Sequence, residues 1–362
     1  MTITEQSIKQ SLSRIELPEL GKDLVSANWV KSIDISEAGV SIKLMAGFPC
    51  EQQKKHYLAL IAEQLNTDLN CQADVELNWQ VAAHAHKAGV KSLSGVKNII
   101  AVASGKGGVG KSTTSANLAL ALVAEGASVG LLDADIYGPS QPIMMGMKDS
   151  RPETIDQKRI LPVKTHGVQT MSIGYLIDPE QAMVWRGPMA SGALQQLIND
   201  TQWQDLDYLI VDLPPGTGDI QLTLSQKVPV TASVIVTTPQ DLALADAVKA
   251  ISMFEKVSVP VLGVVENMGM HICSNCGHQE HIFGEGGGSN LASDSHVEFL
   301  GSLPLTKQIR DDSDKGKPSV VADPEGDVAS IYRTIARTMS ARLSLLSKDY
   351  GQSFPKISIT ND

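Results

Sequence analysis

The chain has 362 residues, a formal net charge of −10, 42% hydrophobic and 19% charged residues. That length suits one large globular domain with a small one beside it, and the balance excludes a chain too polar to bury a core. The acidic charge, with a pI of about 5.3, argues against a general nucleic-acid binder, which needs a basic field, so no nucleic-acid partner is expected. Aromatics are sparse at 4% and glycines number 30, a composition suited to an α/β protein with many tight strand–helix turns. Met1–Gln10 is polar with no apolar signal core, and no run reaches the length of a membrane span, so the expectation is a cytoplasmic protein with no membrane partner. In that compartment Cys50, Cys71, Cys273 and Cys276 are expected as thiols or metal ligands rather than disulfides.

Residues 1–82 read as a small α/β domain. Glu5–Ile15 suits a short helix. Val30–Ile35 and Val40–Leu44 alternate as strands around a Glu37-Ala38-Gly39 turn, and Val75, Leu77, Trp79 and Val81 alternate as a third. Between them Tyr57, Leu58, Leu60, Ile61 and Leu65 have helical spacing. This order, with Pro49-Cys50 at a strand-to-helix junction, resembles the small domain of iron–sulfur assembly proteins. It departs from that pattern at Leu17-Pro18-Glu19, where Asp-Pro-Glu is common, and at Glu51, where a proline commonly follows the cysteine. Cys50 is therefore read either as a ligating thiol or as a partly buried structural one, and Cys71 as a small apolar residue. Residues 83–97 lack apolar periodicity and read as a locally basic linker, with His84 and His86 solvated rather than bound to metal.

From Asn98 to residue 347 strands and helices alternate, the mark of a mostly parallel sheet with helices on both faces. The first strand leads into Gly105–Ser112, which fits G-x-x-x-x-G-K-[ST], the phosphate-binding loop of P-loop NTPases. Gly105, Gly107, Gly108 and Gly110 let the backbone around Val109 curl its N–H groups toward an anion, and the helix that follows through Thr113 adds its dipole. Lys111 reaches the β- and γ-phosphates of ATP, and Ser112 ligates Mg²⁺. Lys106, directly after the first glycine, resembles the second lysine of the deviant Walker A ATPases of the MinD/ParA-like class. That resemblance implies a lysine reaching across a nucleotide-sandwich dimer to the partner's phosphates; the other reading is a solvated surface lysine.

The next buried strand, Ser128–Leu132, ends in Asp133-Ala134-Asp135, at the strand end where such sheets bind ligands. Asp135 is the candidate for holding Mg²⁺ through water or positioning the attacking water; the other reading of Asp133 and Asp135 is a pair of turn-capping aspartates. Residues 144–168 read as an insertion with short strands, and Trp185-Arg186-Gly187-Pro188-Met189 precedes a helix without revealing a mechanism. Asp207–Asp212 is a Walker B strand followed by a glycine-rich switch to Asp219, with Asp212 placed to hold Mg²⁺ through a water. Ser233–Thr238 is a further strand, and Asp241 after it is the candidate helix cap. Val261–Val265 ends in Glu266-Asn267, and Asn267 is assigned to the adenine edge. Gly284–Gly288 reads as a flexible loop, Phe299–Leu303 as the last strand, and Gln308–Pro318 as a charged loop. Ser330–Leu346 is a closing amphipathic helix, and residues 348–362 a disordered tail.

Cys273 and Cys276, three apart in a polar glycine-containing loop, can point both sulfurs at one metal, and soft thiolates select Zn, Cu(I) or iron–sulfur clusters. Two subunits completing a Cys₄ cage around a [4Fe–4S] cluster is one solution. A Cys₂His₂ zinc site with His278 and His281 is another, and a redox Cys-x-x-Cys a third. In order, the lysine-bearing loop, Asp133–Ser140, Trp185–Met189, Asp212–Asp219, Glu266–Gly269 and the cysteine pair resemble the Mrp/ApbC-type iron–sulfur cluster carriers over residues 95–345. The resemblance implies a homodimer that binds a labile [4Fe–4S] cluster on Cys273 and Cys276 of both chains, hydrolyses ATP and passes the cluster to apoproteins. Lys106, Lys111 and Asp135 would then be the catalytic set. The alternatives are a MinD/ParA-like positioning switch, acting on membrane or DNA, and a zinc-stabilised ATPase without cluster transfer.

Overall fold

A computed structural model describes residues 3–37, 39–86, 90–155, 158–177 and 187–349. Near the N-terminus, α1 (Glu5–Leu12) is closed by a reciprocal cap in which Thr4 and Ser7 each accept the other's backbone N–H, satisfying two donors that a helix start leaves free. β1 (Val30–Ser36) and β2 (Gly39–Ala46) pair antiparallel, α2 (Lys54–Leu69) crosses over, and β3 (Ala73–Trp79) returns parallel to β2. Val40, Ile42, Leu44 and Ala46 all turn inward along β2, as a period of two requires.

The stretch after β3 departs from the linker reading. His84 is 1% exposed, its Nδ1 lies 3.0 Å from Asn98 Oδ1, and its backbone bridges to Lys348. Asn98 also donates to the Ala82 and Asp207 carbonyls, so a buried strand amide fastens this segment to the large sheet. Burial lowers the His84 pKa and keeps the ring neutral. His86 is bonded to the Val90 carbonyl at 2.9 Å.

Among the described residues the large sheet has nine strands: β4 (Val96–Ala103), β5 (Val129–Asp133), β6 (Val163–Thr165), β7 (Val168–Ser172), β8 (Leu206–Asp212), β9 (Ala232–Thr237), β10 (Val261–Ile272), β11 (Gln279–Glu280) and β12 (Phe299–Leu305). Their order is β6-β7-β5-β8-β4-β9-β10-β11, with β12 beside β10. The β6–β7 and β10–β11 pairs are antiparallel; the others are parallel. β5, β8 and β9 are buried along their whole length, as strands covered on both faces must be. The helices that cover it include α3 (Lys111–Ala124), α4 (Gly187–Asp200), α5 (Asp219–Lys227), α6 (Asp241–Lys256), α7 (Gly287–Asp294) and α8 (Asp327–Ser344). α3 and α8 pack chiefly on one face of the sheet, and α4 to α7 chiefly on the other. The mostly parallel, doubly covered sheet read from the alternation is therefore present.

Three local readings change. Lys307–Asp314 is a helix capped by Thr306 rather than a charged loop; its charges line an exposed face, which carries no apolar signal. Gln240, not Asp241, is the cap residue of α6, and Asp241 falls in the first turn. β10 continues past Val265 to Ile272, with a register shift against β12 between Glu266 and Met270. Trp185, Arg186 and the tail from residue 350 lie outside the described residues.

α3 joins the two halves of the chain. It begins at the phosphate loop, and its far end meets the N-terminal unit. There Glu51 N–H donates to the Glu125 carbonyl and Gln52 N–H to its carboxylate, both at 3.2 Å. Arg337 of α8 donates to Glu125 at 2.6 Å and to Glu19 at 3.4 Å, and the Tyr57 hydroxyl donates to Glu19 at 3.0 Å. Cys50 is buried in this junction. Burial, then the charges of Glu125 and Glu19, push its thiol up to about 12, an environment that fits the structural reading of Cys50 and not a ligating thiolate.

Candidate functional site

The loop from Ser104 to Gly110 joins β4 to α3 at the C-terminal edge of the sheet. Two glycines are forced by their surroundings. A Cβ on Gly105 would stand 2.1 Å from the Asp246 carbonyl oxygen. Gly110 has φ +81, and a Cβ there would stand 2.1 Å from Asn267 Nδ2. The Leu213 N–H donates to the Val102 carbonyl and the Gly216 N–H to the Ser104 carbonyl, so the glycine-rich switch after β8 is tied to the chain entering the phosphate loop.

Below the loop the parallel register sets Asp133 of β5 beside Asp212 of β8. Asp212 is 0% exposed and accepts from Lys111 Nζ at 2.5 Å, Ser115 Oγ at 3.0 Å and Gln141 Nε2 at 2.9 Å. Lys111 Nζ also lies 3.3 Å from Ser112 Oγ. A cation thus already bridges the serine hydroxyl and the aspartate. An oxygen-seeking Mg²⁺, which binds through one or two carboxylates, a hydroxyl and phosphates, fits the same donors.

Asp133 accepts from the Asp135 and Gln141 N–H groups and the Ser172 hydroxyl, each at 3.1 Å. Its pKa is nevertheless raised, first by burial and then by the Asp212 charge. The Asp135 carboxyl is also raised by burial, with Lys111 pulling it down and Asp212 pushing it up. It stands half-buried at the rim, ahead of the exposed Tyr137. Lys106 is exposed on the loop, and its carbonyl accepts from Ser104 Oγ at 2.9 Å.

Asn267 is placed differently from its sequence reading. Its Nδ2 donates to the Val109 carbonyl at 2.8 Å, and its Oδ1 accepts from the Met268 N–H at 3.0 Å. The residue is buried under the phosphate loop and braces it, an arrangement that does not support the adenine assignment. Gln141, Ser115 and Ser172 also belong to this cluster. Gln141 opens a single helical turn, Gln141–Met144, and no spacing in the sequence marks it out.

Cys273 follows β10 directly. The Cys273 N–H donates to the His278 carbonyl and the Gly277 N–H to the Cys273 carbonyl, each at 2.9 Å, closing a tight turn before β11. Both cysteines are free thiols. Backbone N–H groups of Asn275 and Cys276, then the Cys276 side chain, lower the Cys273 pKa and favour its thiolate. His281 Nδ1 is bonded to the Gly269 carbonyl at 2.7 Å, and among the described residues no group of three His, Cys, Asp or Glu side chains is placed to hold a metal.

Residues 95–340 match the ParA family described as NUBPL iron-transfer P-loop NTPase, and residues 5–76 match the iron–sulfur cluster assembly protein family. The chain is 62% identical over 274 residues to an iron–sulfur cluster carrier protein of Pseudomonas fragi, covering 75% of this chain and 96% of that one. It is 49% identical over 343 residues to an iron–sulfur cluster carrier protein of Haemophilus influenzae, covering 94% and 92%. A solved nucleotide-binding protein from Archaeoglobus fulgidus, in complex with ADP, is 40% identical with a TM-score of 0.56, covering 64% of this chain and 90% of that one. The chain belongs to the NUBPL iron-transfer family of P-loop NTPases, as the motifs it shares with the Mrp/ApbC-type carriers implied.

Proposed function

We propose that the chain is an ATP hydrolase that carries a [4Fe–4S] cluster between two copies of itself and delivers it to apoproteins. The observation that carries this reading is the Cys273–Cys276 pair. It stands at the solvent-facing end of β10, the strand whose Asn267 braces the phosphate loop. A [4Fe–4S] cluster takes four thiolates, and two facing chains supply them. The named role of the carrier proteins of Pseudomonas fragi and Haemophilus influenzae supports the same cargo here. Free thiols at all four cysteines suit the reducing cytosol, and no described helix is long and apolar enough to cross a membrane.

In this account the loop N–H groups and Lys111 hold the phosphates, and Lys111 exchanges Asp212 for a phosphate oxygen. Ser112 and Asp212 would hold magnesium, which when bound neutralises phosphate charge. Lys106, exposed on the loop, reaches the partner's phosphates. Asp135 orients the attacking water. Catalysis is then mainly positioning and charge stabilisation. The run from Val109 through Asn267 along β10 to Cys273 is the route by which loop closure alters the grip on the cluster.

Two observations weigh against the alternatives. The apolar residues of α8, among them Tyr332, Ile335, Met339 and Leu343, are spent in the core, so that helix has no free apolar face for a membrane-positioning switch. Among the described residues no group of three His, Cys, Asp or Glu side chains is placed to hold a metal, so His278 and His281 do not close a zinc set on the cysteine pair within one chain. The test is anaerobic loading with iron and sulfide, followed by activation of an apo [4Fe–4S] enzyme. Wild type restores its activity and Cys276→Ala does not. A transfer rate unchanged in Lys111→Ala would overturn the coupling to ATP.

A further inference from the structure

We infer that Gln141 is a positioning residue of the nucleotide–magnesium centre, its side-chain oxygen accepting a hydrogen bond from a water in the magnesium shell. The inference rests on the nucleotide-site reading above. Gln141 is 1% exposed. Its Nε2 donates to Asp212 Oδ2 at 2.9 Å and to the Ser112 carbonyl at 3.0 Å, and its backbone N–H donates to Asp133 Oδ2 at 3.1 Å. One side chain therefore fixes the spacing between the phosphate-loop serine and the Walker B aspartate, and its backbone anchors the loop that carries Asp135.

Both partners of Nε2 are pure acceptors, so a flipped amide would set oxygen against oxygen. The amide orientation is thus fixed by the network. That fixes Oε1 as well, and Oε1 is buried with no hydrogen-bond partner among the described residues. A buried acceptor without a donor is rare in folded proteins and calls for an explanation. Lys111 does not supply the donor, because its ammonium is directed to Asp212 and Ser112. The two residues that Nε2 touches are the same two whose oxygens fit magnesium. Magnesium sheds its waters reluctantly and keeps several of them in such sites, and each is a strong donor. The free oxygen on this amide is the acceptor that such a water requires.

The test compares ADP affinity of the full chain by calorimetry in magnesium and in EDTA, and reads the ratio of the two dissociation constants. Gln141→Leu is expected to lose roughly fivefold or more of the magnesium enhancement while its EDTA affinity stays within about twofold of wild type. Gln141→Met, unbranched and of similar volume, gives the same reading if the leucine variant fails to fold. An unchanged ratio overturns the inference. So does an equal loss in both media, which marks an amide that only supports the fold. Wild-type protein that binds ADP in neither medium overturns the nucleotide reading itself, a result distinct from either.

Discussion

Removing the Arg337 guanidinium would test how the N-terminal unit is held against the ATPase. Arg337 lies between Glu125 at 2.6 Å and Glu19 at 3.4 Å, with its side chain 8% exposed and that of Glu125 0% exposed. Arg337→Met keeps much of the volume and leaves two carboxylates in the junction without their cation. Breaking a buried ion pair from one side costs about 3–5 kcal/mol. At a urea m-value of about 3 kcal/mol/M, that lowers the unfolding midpoint by about 1–1.7 M. Adding Glu125→Gln removes one stranded charge and should recover about half of the loss. The pH dependence has a definite sign. Burial raises the folded pKa of Glu125 even with Arg337 pulling it down, and without Arg337 only the Gln52 N–H and the Arg333 charge still oppose burial. A raised folded pKa contributes stability below the unfolded value that is lost as pH rises through the folded one. The deficit of Arg337→Met should therefore be larger at pH 8 than near pH 5. A midpoint equal to wild type at pH 8, or a deficit that grows on acidification, would refute the reasoning.

Other outcomes follow from the same geometry. Gly110→Ala forces φ +81 on a residue with a Cβ and drives that Cβ against Asn267, so it should lose roughly 1–3 kcal/mol of stability and at least about tenfold in ADP affinity, read by thermal melts and calorimetry. Lys106→Ala should keep ADP affinity within about threefold but abolish ATP-dependent dimerisation in analytical ultracentrifugation. Iodoacetamide near neutral pH should label Cys273 ahead of Cys50, since the first pKa is lowered and the second raised; peptide mapping that finds Cys50 modified first would contradict the burial.

Much of this was legible in the residues. The apolar strand runs ending in Asp133 and Asp212 mark strand ends, and the parallel register that sets those carboxylates side by side follows from the strand–helix alternation. Asn267 was visible as a strand-end amide, but its partner is the Val109 carbonyl, 158 residues away, and no local pattern encodes such a pairing. Gln141 is silent in the sequence for the same reason: it follows a Gly-Pro-Ser turn and carries no motif, yet it touches both the phosphate loop and β8. For His84 a polar, basic stretch suggests solvent, but its burial depends on Asn98 and on Lys348, one within the next strand and one beyond the last helix. The Lys307–Asp314 helix was hidden by its charges, which show no apolar period.

The claim that two chains share one cluster is tested most directly by native mass spectrometry after anaerobic loading with iron and sulfide. The account predicts four irons and four sulfides per pair of chains, lost together with the pairing around the cluster in Cys273→Ala and Cys276→Ala. One zinc retained on each single chain, with no iron taken up, would contradict it.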